Sequence, residues 1–406
     1  MPIDLASAAG ALFTTQGRID PYPLYRTIQQ VAPVLPMAEN IVLITGYDEC
    51  DRLLKDPIFM AGDQYWRDRE DESVENPHLA KSLIAASIIS LNPPEHRRLR
   101  LLLGRAFTPA RMTAMTPMLE RIVDELVSEM AQKTESVGVI DFMSEFACRL
   151  PIRMAGAVLG LSSADVEGLG PLVHDLAVAF ELDISGEPLN AANSAAARLR
   201  AHLTDIIARR CGQPSADDDL IRSLVAAAPE DFDALIANLL LLLVAGQESP
   251  SNLLGNGLRI LLDRPELAAT LRAAPAGLPA FVEEVLRFDS PVQMTGRWSN
   301  QETDLGGHLL PREGYAILML GAANRDPRFF LHPDEFLTAR ANNKHLSFAA
   351  GSHFCLGAAL ARLGARIAFH ALIREFPGMS LADEPARIDR LSLRGYATLP
   401  IRLAAM

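Results

Sequence analysis

Residues Phe348 to Gly357 read F-A-A-G-S-H-F-C-L-G and run directly into Ala358 to Phe376, a stretch of good helix formers interrupted only by Gly364. Cys355 therefore stands at or just before a helix N-terminus. The free backbone N–H groups and the positive end of the helix dipole there favour thiolate over thiol, and the thiolate is the form that ligates a metal. Gly351 allows a tight turn before the cysteine, and Gly357 removes a side chain where the backbone would lie against a flat ligand. Leu356, Leu360, Leu363 and Ile367 recur on one face and anchor the helix to a core. An isolated cysteine after a loop is more often buried and inert, so the weight of this segment depends on the rest of the chain.

That chain is 406 residues long and 49% apolar, enough for a large core. Apolar residues recur at three- and four-residue spacing over Met118 to Gln132, Ser194 to Arg210, Asp231 to Leu262 and Leu356 to Phe376, so helix dominates. Short β-like runs at Ile41 to Thr45, Gly314 to Leu320 and Thr398 to Leu403 predict a minor β-rich part. Loops are expected at Gly62 to Pro77, Ser185 to Leu189, Gly212 to Asp219 and Arg325 to Asn343, and no internal repeat is visible. One mainly α domain spanning residues 1–406 is the expectation.

The formal charge of -12 argues against a nucleic-acid surface, which needs clustered Lys and Arg. The most apolar run, Leu235 to Gly246, is interrupted by Asn238 and falls short of the roughly 20 residues of a membrane span. With no basic or Ser-rich leader, a soluble cytoplasmic protein is expected. Cys50, Cys148, Cys211 and Cys355 are scattered without paired metal spacing, so reduced thiols are the default and one of them is free to be chemically special.

The cysteine segment closely resembles the ligand loop of cytochromes P-450, whose pattern F-x-x-G-x-x-x-C-x-G is met at Phe348, Gly351, Cys355 and Gly357. The family more often carries Gly where Ala349 stands. The resemblance implies the P-450 fold, a triangular prism of helices around a buried haem b, with Cys355 as the proximal iron ligand. It further implies that Phe348 packs near the sulfur and that His353 bonds a haem propionate.

Other motifs occur in the family's order. Glu284 and Arg287, in E-E-V-L-R, sit at i, i+3 on one helix face; by resemblance they are the family's structural E-x-x-R pair. Its third partner is expected at Arg340, since Glu335 stands where the family frequently has Arg. In Leu91 to Arg100, Pro93 and Pro94 pre-set a helix start, and His96 and Arg100 at i, i+4 can address one anion. By resemblance this pair, with Arg297, holds a haem propionate. The motifs extend from Leu91 to Gly357, about two thirds of the chain.

Ala245-Gly246-Gln247-Glu248-Ser249-Pro250 resembles the family's A-G-x-[D/E]-T on the long helix that crosses the haem. Activating dioxygen requires two protons, and a hydroxyl backed by a carboxylate relays them without leaving a cation in the pocket. Ser249 would be the alcohol and Glu248 the acid, with Gly246 the third catalytic position, where the helix opens to admit dioxygen and water, and Ala245 beside the cofactor. Pro250 lacks an N–H for the Gly246 carbonyl, so a local opening of the helix is expected at Gly246.

The resemblance thus implies a monooxygenase that inserts one atom of O2 into an organic substrate by hydroxylation or epoxidation. The chain shows no flavin or nicotinamide fingerprint, so electrons from NAD(P)H would arrive through a separate ferredoxin or flavodoxin and its reductase. Arg98, Arg105, Lys344, Arg362 and Arg366 would form the basic docking face. Ile88, Ile89, Phe180, Leu241, Val292, Met294 and Thr295 are the expected substrate-pocket residues. Mostly apolar, they suit a hydrophobic or mixed-polarity natural-product intermediate. The alternatives are a haem-thiolate peroxygenase or isomerase, against which the retained Glu248 and Ser249 count, and a haem-based sensor, for which no output segment is visible.

Overall fold

The computed structural model describes residues 5–62, 78–182, 184–211, 220–227 and 232–403. The expected loops at Gly62 to Pro77 and Gly212 to Asp219 lie, apart from Gly62, outside the described residues.

Helices form most of the chain, and the longest is strongly apolar. The elements that build the site are α1 (Leu79–Ala86), α2 (Glu95–Gly104), α3 (Pro109–Val137), α4 (Arg149–Val158), α5 (Leu169–Ala177), α6 (Gly186–Cys211), α7 (Phe232–Leu262), α8 (Leu278–Phe288) and α9 (Ala358–Glu375). Helix α7 packs against α1, α4, α5, α6, α8 and α9. Its N-terminal half, with Leu235 to Val244, joins one apolar core with α1, α2, α4, α5 and α6. Its C-terminal half, with Leu253 to Leu261, joins another with α3, α8 and α9. The segment carrying Ala245 to Pro250 lies at the change from one core to the other.

By length and composition α7 would suffice to cross a membrane, but more than half of its apolar window is buried inside the protein. A helix apolar all round is the ordinary state of a core helix in a large protein. It is continuous from Phe232 to Leu262 through Pro250, so the expected opening at Gly246 does not break it. What the proline removes is one N–H, while the Ser249 hydroxyl turns back toward the Ala245 carbonyl at 3.4 Å.

Two boundaries differ from the sequence reading. Helix α3 starts well before Met118, because Thr108 caps it, accepting from the Arg111 N–H, and Pro109 fits the first turn. Ser185 to Leu189 is not a loop throughout: α6 begins at Gly186, with Glu187 and Pro188 in its first turn, where both residue types are favoured.

The β-rich part is a five-stranded sheet of β1 (Val34–Ala38), β2 (Ile41–Ile44), β3 (Phe59–Met60), β4 (Thr295–Ser299) and β5 (Tyr315–Leu318), in the order β1-β2-β5-β4-β3. Strands β2 and β5 run parallel, with Ile41 opposite Tyr315, and the other pairs are antiparallel. Both faces are covered, which is why β2 reads as an unbroken apolar run. Val42, Ile44, Ala316 and Leu318 face one cluster, while Leu43 and Ile317 face another formed with the N-terminal helices. Near the C-terminus, Pro400–Arg402 pairs with Ile140–Asp141 and Ser380–Leu381.

Candidate active site

The cysteine loop is held from behind by a buried polar cluster. Ser347 Oγ donates to the Leu286 carbonyl at 2.6 Å, and the Asn324 side chain bonds both Ser347 Oγ and the Leu346 N–H. The loop then closes through Cys355 N–H to the Phe348 carbonyl at 2.9 Å. Gly351 has φ +70, and a Cβ there would lie 2.2 Å from the Leu54 carbonyl oxygen, so only glycine fits. Ala349 has φ 55, a left-handed conformation that costs a residue with a Cβ. A Cβ at Gly357 would meet no protein atom within 4 Å.

Burial pushes the Cys355 thiol above its ordinary value, and the amides of Gly357 and Ala358 with the charges of Arg100 and Arg362 pull it back only in part. The expected thiolate preference at the helix start is thus outweighed by burial. A coordinated metal would remove the thiol proton outright.

Beside this loop four basic side chains converge. His96 on α2 is 2% exposed, Arg297 on β4 is 5% exposed, and the His96 and His353 rings lie 4.0 Å apart. Among the described residues Arg297 bonds only neutral acceptors, the Gly296 carbonyl at 2.7 Å and Thr295 Oγ1 at 3.2 Å; Arg100 donates to the Phe354 carbonyl at 2.6 Å. His96 Nε2 has no partner among the described residues. Burial, then the charges of His96, Arg297 and Arg100, pushes His353 down to about 3; burial lowers Arg297 to about 10. Among the described residues no carboxylate pairs with Arg100 or Arg297. A positive site with an orphaned buried nitrogen fits a ligand that brings its own carboxylates, as the two haem propionates would.

On α7, Ala245 is exposed, and the missing side chain of Gly246 points toward Ala155 of α4, where a Cβ would come within 2.8 Å of the alanine's Cβ. Close packing of α7 on α4 therefore explains that glycine. Glu248 is buried and takes two bonds, from Arg390 Nη1 at 3.0 Å and His174 Nδ1 at 3.0 Å. Ser249 follows it, half-buried.

A pocket between α1, the end of α5 and α7 is lined by Leu83, Ser87, Leu176, Phe180, Leu241 and Val244. Ile88 is buried beside it and anchored by its N–H to Asn238 Oδ1 at 2.9 Å, whereas Ile89 is 44% exposed. Val292 packs on the sheet cluster, and Thr295 accepts from Arg297. Met294 is buried in the core formed with the N-terminal helices, in one cluster with Tyr25, Leu43 and Ile317, and like Val292 and Thr295 is not among the residues that line this pocket. Leu83 and Leu176 were not singled out from sequence because a pocket-facing leucine has the same helical spacing as a core one.

Behind the loop, Glu284 and Arg287 are both fully buried and joined by two bonds, Nε to Oε2 at 2.9 Å and Nη2 to Oε1 at 2.7 Å. Arg340 Nε adds bonds of 3.2 Å to both carboxylate oxygens. Glu335 contributes only its carbonyl, which accepts from both arginines. Of the basic residues expected on the docking face, Arg98, Arg105, Lys344 and Arg366 are exposed. Arg362 is instead paired with Glu283 at 2.6 and 2.8 Å and lies 4.5 Å from the centroid of the Phe348 ring.

Residues 277–398 match the family model described as Cytochrome P450. Over 402 residues, covering 95% of this chain and 96% of the relative, the sequence is 33% identical to 6-deoxyerythronolide B hydroxylase of Saccharopolyspora erythraea. It is 34% identical over 396 residues to the cytochrome P450 monooxygenase PikC of Streptomyces venezuelae, covering 94% and 91%. The crystal structure of P450BioI in complex with a fatty-acyl-ligated acyl carrier protein superposes with a TM-score of 0.87 at 30% identity, covering 96% of this chain and 100% of that one.

The chain belongs to the cytochrome P450 family. It has the mainly α P450 fold and is a P450 monooxygenase, an oxidoreductase of a family that works with haem and O2.

Proposed function

We propose that residues 1–406 act as one P450 domain in which Cys355 ligates the iron of haem b. The observation that carries this reading is the conjunction of the half-buried Cys355, at the start of its helix, with a cluster of basic groups that lacks a carboxylate of its own among the described residues. His96, Arg100, Arg297 and His353 would hold the propionates, Phe348 would pack behind the sulfur, and Gly351, Gly357 and Ala245 would leave room for the macrocycle. Bound haem supplies the iron that binds and reduces dioxygen, with thiolate donation promoting O–O cleavage.

The chain's own residues orient substrate and deliver protons. Ser249 would offer its hydroxyl beside the Glu248 carboxylate, which Arg390 and His174 hold in place. Threonine's methyl is missing at Ser249, so its rotamer is less restricted and peroxide leakage is expected to accompany turnover. Gly246 lets α7 lie close on α4 and so fixes where Ala245 and Ser249 stand.

The pocket lining is apolar except for Ser87, and the names of the relatives include hydroxylases of 6-deoxyerythronolide B and of vitamin D(3) and a polyketide-biosynthesis cytochrome P450. A hydrophobic or mixed-polarity natural-product intermediate is therefore the proposed substrate class, touching Ile88, Ile89, Phe180 and Leu241, with Val292 and Thr295 on the sheet side. Electrons from NAD(P)H would come through a ferredoxin or flavodoxin docking near Arg98, Arg105, Lys344 and Arg366. Arg362, neutralised by Glu283, would add little net charge. A cytoplasmic enzyme follows from that partner.

The test is turnover of a spin-shifting compound with a ferredoxin and its reductase. Replacing Ser249 with Ala is expected to lower product per NADPH and raise peroxide. Full coupling in that variant would remove Ser249 from the mechanism.

A further inference from the structure

Glu248 is a buried carboxylate with both oxygens occupied, one by His174 Nδ1 and one by Arg390 Nη1. The Glu248 and Arg390 side chains are each 10% exposed, whereas the His174 side chain is 53% exposed. Of the three, His174 alone opens widely to solvent. Arg390 Nη2 lies 3.3 Å from His174 Nε2. A guanidinium only donates, so Nε2 accepts, and the neutral ring carries its proton on Nδ1, aimed at Glu248. The charged groups facing the imidazole are Glu248 from α7 and Arg390 from the C-terminal segment, with Asp175 beside it on α5. Among the described residues, α4 and α6, which also pack on α5, form no ion pair with it.

A carboxylate that gives up protons in every cycle has to be reprotonated from water. Arg390 cannot do so, because a guanidinium keeps its protons. An imidazole titrates near neutrality and can take a proton on one nitrogen while releasing one from the other.

We propose that His174 is the proton-entry residue of this monooxygenase, reloading Glu248 from bulk water, and that Arg390 is the positioning residue that holds the carboxylate against the imidazole. The inference rests on the reading of Glu248 and Ser249 as the proton-delivering pair. In the step, the Nδ1–H bond breaks and an Oε1–H bond forms on Glu248, while a hydronium ion from solvent forms an Nε2–H bond and leaves as water. Nothing is oxidised or reduced, and the ring stays neutral with its proton on the other nitrogen. The new Nε2–H no longer accepts from Arg390, so that contact opens as the proton enters and closes when the ring returns to its first tautomer.

The test uses the haem-loaded enzyme with His174→Gln and Glu248→Gln. Glutamine at 174 can still donate to Glu248 but cannot carry a proton. Coupled turnover in His174→Gln is expected to fall by up to about 100-fold, the lower end for positioned proton transfer, with a larger solvent isotope effect and a changed pH profile. A second readout needs no turnover: in the ferrous carbonyl protein, the nitrogen NMR shifts of the neutral His174 ring, which separate its two tautomers, are expected to place the proton on Nδ1, facing Glu248. A His174→Gln enzyme with wild-type coupling, isotope effect and pH profile would overturn the inference, as would a neutral ring that carries its proton on Nε2. Impaired Glu248→Gln beside normal His174→Gln would sink the proton-entry role alone, whereas normal coupling in Glu248→Gln would sink the acid–alcohol reading with it.

Discussion

Replacing Arg287 with Met removes a guanidinium from a fully buried site while roughly filling its volume. Glu284 would keep the Leu337 N–H at 2.9 Å, Arg340 Nε at 3.2 Å and Asn343 Nδ2 at 3.2 Å, so its charge is not left bare. The Asn324 and Pro333 carbonyls, now bonded by Arg287 Nη1 at 3.0 and 2.8 Å, would lose that donor. The Glu335 carbonyl keeps Arg340. Breaking one side of a buried pair costs about 3–5 kcal/mol, and each stranded acceptor about 1–3 kcal/mol before relaxation. Arg340 draws the total toward the lower end and the two carbonyls push it up, so a loss of about 4 kcal/mol is expected. That is a large share of the roughly 5–15 kcal/mol that holds a folded protein together. Equilibrium urea unfolding followed by circular dichroism measures it. A loss below about 1 kcal/mol would refute the view that this pair anchors the polypeptide behind the cysteine loop.

Ala349→Gly relieves a left-handed alanine, a gain of about 1–2 kcal/mol, against about 0.4–1 kcal/mol of added unfolded-state entropy. A small rise in the urea midpoint is expected, and a fall would contradict the assigned strain. Burial pushes Glu283 up, but bonds from Arg362 and His345 outweigh it and hold the carboxyl at about 2, below its ordinary 4.5. Stability from this group is therefore present above about pH 4.5 and is lost as pH falls toward 2; Glu283→Gln should flatten that acid limb in pH-dependent unfolding. Leu241→Trp would fill the pocket beside Phe180, so substrate-induced spin shifts should weaken while the haem spectrum stays intact; unchanged substrate binding would remove that pocket from the account.

The cysteine loop was legible because its constraints are local. The positive φ of Gly351 belongs to a turn four residues before Cys355 and leaves a motif, whereas the Leu54 carbonyl that also excludes a Cβ there comes from a distant segment. The Glu284–Arg287 spacing is commonplace by itself and became informative only with the loop in view, and Arg340 was reachable because the intervening loop carries few other cations. That Met294 joins the N-terminal core cluster could not be read from the sequence, because it stands next to the strand that begins at Thr295, where neighbouring side chains face opposite sides, and its face depends on the sheet register. His174 and Arg390 left no sequence signal, since they reach Glu248 from 74 and 142 residues away. The burial that raises the Cys355 thiol is likewise a sum over distant elements, invisible to an argument from the helix dipole alone.

The most direct test of Cys355 as the iron ligand is the visible difference spectrum of the dithionite-reduced protein with and without carbon monoxide. A thiolate opposite the carbon monoxide moves the main absorption band far to the red, and a histidine ligand does not. The wild-type protein is expected to give the red-shifted band and Cys355→Ser to lose it. An imidazole-like band from freshly prepared wild-type protein, or a red-shifted band that survives in Cys355→Ser, would contradict the assignment.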